Sequence, residues 1–292
     1  MSTPILAAKQ PLETVTQPGA GVRPYRGGLF DAATIVEGDG RWAMGIQYMS
    51  ARCADADWVQ GWCPSGTGDP TDKTSHVKGA DDTGDGWVTQ PDAFTVYELW
   101  QCNEVGWTLP ERIAFNEDRL RGQEQLEAER AFCTINLQRG KAVGKPSGDT
   151  AVSLLHAIGS LEAYACQEYS NQAVIHLPRW VYPYMEDKYL VHGDYMHNGQ
   201  PEGGTAGGLH TRLGTRLAFG GGYFGNAPDG TPVSGDIEFW AYVTGEVVIR
   251  RGAIHSANAF AYETNIRTVL SERTYLATTD CLLGAVAVDL DA

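Results

Sequence analysis

Glycine sets the first limit on what this chain can become. It supplies 35 of 292 residues, well above the roughly 7% of an ordinary domain. The glycines gather at 61–86, 199–208 and 220–235 without a fixed period. A repeat architecture is therefore excluded, and the fold must combine a packed core with long excursions. The core is affordable, because 42% of the residues are hydrophobic and 10% aromatic, and a chain of this length buries about 75% of its unfolded surface. Length alone allows one large domain or two modest ones, at about 150 residues each.

Two excursions stand out. The first thirty residues carry Pro4, Pro11, Pro18, Gly19, Gly21, Pro24, Gly27 and Gly28, which reads as an extended arm that orders only against something else. The stretch from Gly61 to Asp92 is rich in Gly, Asp, Thr and Pro and lies between apolar segments near Trp58 and at Phe94–Trp100. That pattern predicts a long loop or hairpin rather than a linker.

Two segments read as helices. Residues 111–133 follow Pro110, are dense in strong helix formers and place Glu117 and Arg121 four apart, predicting a long, charged, mostly surface helix. Residues 149–168 set Leu154, Leu155, Ile158, Leu161 and Ala165 at helical spacing behind Asp149 as cap. Beyond Pro178 the chain turns strand-like, with two strands around Thr244-Gly245 within 237–250 and a buried terminal strand at 281–290. The fold class is α+β.

Charge narrows the function. Thirty-six acidic against 22 basic residues give a net charge of −14, which excludes loose, charge-driven binding to a phosphate backbone. No basic, then apolar, leader and no uncharged run near the roughly 18 residues of a membrane span is visible, so a soluble protein with no membrane partner is expected. Cys53, Cys63, Cys102, Cys133, Cys166 and Cys281 form no C-x-x-C pair and are expected to be reduced and mostly buried.

Four motifs carry possible chemistry. Gly220-x-Gly222-x-x-Gly225 matches a dinucleotide fingerprint by letter but runs into Asn226-Ala-Pro-Asp-Gly, which cannot open the required helix. Ser75-x-x-Lys78 lacks the partners of an acylation site. Asp81, Asp85 and Asp92 follow the alternation of a calcium loop, although Thr83 is a poor ligand; a hairpin turn with solvated carboxylates is the competing reading. His192, Asp194 and His197, with His210 as a fourth, could ligate the metal of a mononuclear enzyme, or be loop histidines at a subunit contact. No cofactor is called for by any of these patterns.

The last third supplies a resemblance. Gly-Glu-Val-Val-Ile-Arg-Arg-Gly at 245–252, Asn265 followed by Glu272-Arg273, and Leu-Leu-Gly-Ala-Val-Ala-Val at 282–288 resemble the C-terminal signature of tailed-phage major capsid proteins, whose fold is shared with encapsulin shells. The upstream order also resembles that family: arm, long loop, charged helix, amphipathic helix, and a strand ending in the Pro-Arg-Trp turn of His176–Trp180. Residues 40–110, with Trp42, Trp58, Trp62, Trp87, Trp100 and Trp107, show no family pattern.

The resemblance implies a division into N-terminal arm and lead-in strands (1–55), extended loop (56–100), peripheral domain with spine helix (101–148), axial domain (149–250) and C-terminal strands completing both (251–292). It implies a structural, non-enzymatic virion protein, assembled in the host cytoplasm into pentamers and hexamers of an icosahedral shell around double-stranded DNA held without sequence specificity. Portal, scaffold or decoration proteins would be its partners. The alternatives are a minor capsid or connector protein, or the metal-dependent enzyme built on His192, Asp194 and His197. In some family members the Asn accepts attack from a loop lysine with the Glu assisting. Here those residues would be Asn265, Glu272 and Lys73 or Lys78. In one straight strand Asn265 and Glu272 would lie about 23 Å apart on opposite faces, so one bond would need three subunits. The competing reading has Asn265 serving the backbone and Glu272 pairing with Arg267 or Arg273.

Overall fold

The computed structural model describes residues 25–38, 93–103, 108–139, 143–169, 171–193 and 208–291, together with Trp42 and short strands at 46–49, 87–90, 196–197 and 200–201. In chain order the elements are α1 (Leu29–Ala32), β1 (Thr34–Glu37), β2 (Ile46–Met49), β3 (Trp87–Gln90), β4 (Phe94–Asn103), α2 (Leu109–Phe132), β5 (Val152–Ser153), α3 (Leu154–Glu168), β6 (Val174–Pro178), α4 (Tyr182–Asp187), β7 (His192–Gly193), β8 (Met196–His197), β9 (Gln200–Pro201), β10 (Leu209–His210), β11 (Arg216–Gly220), β12 (Phe239–Thr244), β13 (Val247–Arg251), β14 (His255–Ala261), β15 (Ile266–Thr279) and β16 (Leu283–Asp289). The mixture of helices and large sheets is the α+β class expected.

Two sheets organise the chain. The first is built on the long strand β15, which takes β4 along one edge and β14 followed by β13 along the other, all antiparallel, with β1 parallel to β13. The second runs β5-β16-β12-β6-β11-β10-β7. Its central strands β12 and β6 are buried at every residue, because α3 covers one face through Leu154, Ile158 and Leu161 while Phe132 at the end of α2, with Cys133 and Leu137 of the π-helical turn that follows it (Cys133–Leu137), covers the other. Double coverage explains why Phe239–Thr244 reads as a near-continuous apolar run rather than an alternating one. The two strands around Thr244-Gly245 are confirmed but make no hairpin, since β12 joins the second sheet and β13 the first. The hairpin reading of the Gly-rich stretch has support at its base, where β2 and β3 pair antiparallel.

Two expectations are corrected and one is refined. Helix α2 is long, charged and mostly unburied as expected, but it also has a buried face. Arg112, Asn116, Leu120, Glu124, Ala128 and Phe132 are all buried at a stride of four residues, and this face packs against β4 and β15. The Glu117–Arg121 pair does form, at 3.2 Å. Helix α3 begins at Leu154 rather than behind Asp149, because the Asp149 carboxylate is taken by Lys145 and Val152–Ser153 pair with β16. The cysteines are not uniformly reduced and buried: Cys133 is buried and free, Cys166 is exposed, and Cys281 is in a disulfide.

Candidate assembly surface and its anchors

Two buried carboxylates on α2 fix everything around it. Glu124 accepts from Arg273 Nη1 at 3.0 Å and from the Tyr275 hydroxyl at 2.6 Å. Arg251 lies 3.6 Å from Glu124 and reaches Glu37 on β1 at 2.7 Å. One carboxylate thus locks the helix to β15, β13 and β1, with cations that offset its desolvation.

Glu129, one turn and a half further on, is 0% exposed and is held by neutral donors. One oxygen accepts from the Leu29 amide at 3.0 Å and Gln125 Nε2 at 3.4 Å. The other accepts from the Gly222 amide at 3.0 Å and from the Tyr25 hydroxyl. Burial pushes its pKa above the ordinary carboxylate range, against the pull of these donors, and burial beside Glu129 likewise raises that of Tyr25. The backbone must come very close for this to work. A Cβ on Gly28 would sit 2.6 Å from Glu129 Oε1, and one on Gly222 would sit 2.6 Å from the Arg130 amide nitrogen. Glu129 therefore clamps the root of the N-terminal segment between the helix and the second sheet, and Arg179 stacks over the Tyr25 ring at 4.5 Å.

A third buried group, His176 on β6, is 1% exposed. Thr244 Oγ1 donates to the Gly245 carbonyl at 2.9 Å and so can only accept from His176 Nε2, at 2.9 Å. That assigns the proton to Nε2 and leaves Nδ1 to accept from the Tyr223 hydroxyl at 3.0 Å. Burial without a carboxylate lowers its pKa to about 3.

The outer surface carries a groove and an exposed strand. Between β4 and the end of α2 lies a groove of about 640 Å³, lined by all six residues Phe94–Leu99 and by Glu127, Arg130, Ala131, Thr134 and Ile135. Of these lining residues, Tyr97 and Leu99 are 65% and 48% exposed. Strand β14 is exposed along nearly its whole length, and Tyr262 beyond it is 87% exposed.

Of the residues singled out from sequence, Asn265 occupies the turn between β14 and β15 at φ 54°, a left-handed conformation that asparagine tolerates well. Glu272 lies on β15 opposite His255 and Tyr97. Strand alternation sets it on the face opposite Arg267 and Arg273; Arg267 donates to Asn258 at 2.9 Å and Arg273 to Glu124. His192 and His210 are cross-strand neighbours with rings 6.4 Å apart, but His192 Nε2 accepts from Arg212 Nε at 3.0 Å, so that lone pair is spent on a cation. Among the described residues no group of three His, Cys, Asp or Glu is disposed to hold a metal. Lys73, Ser75, Lys78, Asp81, Asp85, Asp92, Asp194 and the His197 side chain lie outside the described residues. Gly220 ends β11 with no helix after it, so there is no helix terminus to hold a dinucleotide; Gly222 serves close packing on α2, while Gly220 and Gly225 make room for Tyr223 and Phe239.

Sequence reading missed Glu124 and Glu129, which look like two more charges in a charged helix. The one available signal was Gly220-Gly221-Gly222, whose run of small residues marks a close backbone approach.

No family model and no curated protein matches this sequence. Among solved structures it is similar to the capsid of a native GTA particle, at 11% identity over 97% of this chain and 96% of that one, with a TM-score of 0.54. It is also similar to the mature capsid of bacteriophage PhiM1, at 13% identity over 97% and 92% with a TM-score of 0.47, and to a structure of Microbacterium phage Oxtober96, at 13% over 97% of both chains with a TM-score of 0.48.

Proposed function

From the premise that this chain carries the phage major-capsid fold, we propose that it is a structural virion protein that self-assembles into a closed shell around double-stranded DNA. The carrying observation is the likeness to the GTA capsid subunit across 97% of this chain and 96% of that one. The order seen in sequence, from the long charged helix to the terminal strand, agrees with that architecture. Rings closed by head-to-tail contacts, the pentamers and hexamers of an icosahedral lattice, are the geometry by which identical chains enclose a volume. The charge of −14 suits a wall that must not grip the genome it encloses. On this reading the chain performs no catalysis, its place is the virion after assembly in the host cytoplasm, and its partners are its own copies, with portal, scaffold or decoration proteins. The contact between His192 and Arg212 favours this reading over a metal enzyme. The proposal is tested by the native mass of the purified protein. Particles in the megadalton range support a shell, and a monomer or dimer with stoichiometric metal overturns it.

A further inference from the structure

The groove beside β4 has the form of a strand-addition site. Six consecutive residues line it, and since alternate side chains point to opposite faces, only the edge of a strand can present all six. The inner edge of β4 pairs with β15 from Phe94 to Asn103; on the outer edge no strand pairs among the described residues. A strand edge with no strand paired to it, beside an apolar wall, here Ala131 and Ile135, is the setting in which an extended peptide joins a sheet.

The chain itself contains a segment of matching length within reach. Leu12-Glu-Thr-Val-Thr-Gln17 is six residues long, contains Thr14, Val15 and Thr16, which favour strands, and is bracketed by Pro11 and Pro18, which cannot donate to a ladder and so delimit the pairing. The anchor is the Tyr25 bond to Glu129, on the same turns of α2 that wall the groove. Glu129 is two residues from both Glu127 and Ala131, so it lies about 160–200° around the helix from them. Passing half round a helix of 10–12 Å diameter takes about 16–19 Å, and the seven residues 18–24 span up to about 25 Å. Docked there, Leu12 would extend the exposed face of Tyr97 and Leu99, while Glu13 and Val15 would meet Arg130 and the Ala131–Ile135 wall.

We propose that this groove is the docking site of Leu12–Gln17 of the same chain, added as a further strand to the outer edge of β4. The inference stands on the anchor and the groove and does not rest on the shell reading. The test uses the full-length protein with photoreactive benzoylphenylalanine in place of the exposed Tyr97, prepared as an equal mixture of ¹⁴N- and ¹⁵N-labelled chains. After irradiation and trypsin digestion, the residue-97 peptide is expected to be joined to the peptide Gln10–Arg26, both carrying the same label. Val15→Pro, which removes a ladder amide, is expected to lower the yield at least tenfold, and Thr14→Val to preserve it. Attachment elsewhere, mixed-label pairs that would reveal a neighbour's arm, absence of the product, or indifference to Val15→Pro would each overturn the proposal.

Discussion

Acid should unfold this protein through His176. The imidazole is neutral and fully enclosed, donating to Thr244 and accepting from Tyr223, and its pKa in the fold is about 3 against about 6.5 in an unfolded chain. A depressed value in a base means that the unfolded state binds the proton first. The stability this site contributes is therefore whole above about pH 6.5 and is lost as pH falls from there toward about 3. At 1.36 kcal/mol per pKa unit, the loss between about pH 7 and about pH 5 is about 2 kcal/mol. The measurement is urea unfolding of dispersed protein at one fixed concentration, for wild type and His176→Gln, across that pH range. Glutamine can still donate to Thr244 but does not titrate, and its lost Tyr223 contact is a penalty independent of pH. Subtracting the two curves cancels every other group. The stability advantage of wild type is expected to shrink by about 2 kcal/mol on acidification; a difference that stays level within about 0.5 kcal/mol would refute the assigned burial and tautomer.

Glu129→Gln should destabilise the fold by about 2–3 kcal/mol in the same assay, because the new amide turns a donor toward groups that are themselves donors. Its pH signature is opposite in sign: burial raises the pKa of Glu129, so wild type gains on the variant as pH falls through that raised value, and a parallel pH profile would contradict this. Gly222→Ala should cost at least about 1–3 kcal/mol, since the added Cβ meets the α2 backbone at 2.6–2.7 Å; an unchanged unfolding midpoint would show that the helix can shift. Asn265→Gly should leave stability within about 0.5 kcal/mol while Asn265→Val lowers it by about 1–2 kcal/mol, by thermal unfolding. Because the left-handed turn already accounts for Asn265, denaturing electrophoresis of assembled protein should give a single 31.7 kDa band; a ladder that vanishes with Glu272→Gln would instead establish the cross-link to a loop lysine.

The parts of the fold legible in sequence are those whose burial is apolar. Strands β12 and β16 announce themselves because both faces are covered, and α3 because Leu154, Ile158 and Leu161 form a plain stripe. Helix α2 was found from its propensity, but its buried face was not, because Arg112, Asn116 and Glu124 occupy it and hydropathy cannot see a carboxylate whose partners come from residues 273 and 275. Two neighbouring strands, Phe239–Thr244 and Val247–Arg251, read alike and enter different sheets; sheet membership is decided by partners far away in the chain. The same holds for the groove, since nothing in Phe94–Leu99 says which edge will be covered. The family-type order of elements was legible as an arrangement, and the residues that clamp it together were not.

Electron microscopy of the purified full-length protein tests the central claim most directly. The account predicts closed, uniformly sized, angular particles whose surface resolves into five- and six-fold rings, with one copy of this fold repeated at every lattice position. A field of dispersed monomers or dimers under conditions where the protein is folded would contradict it.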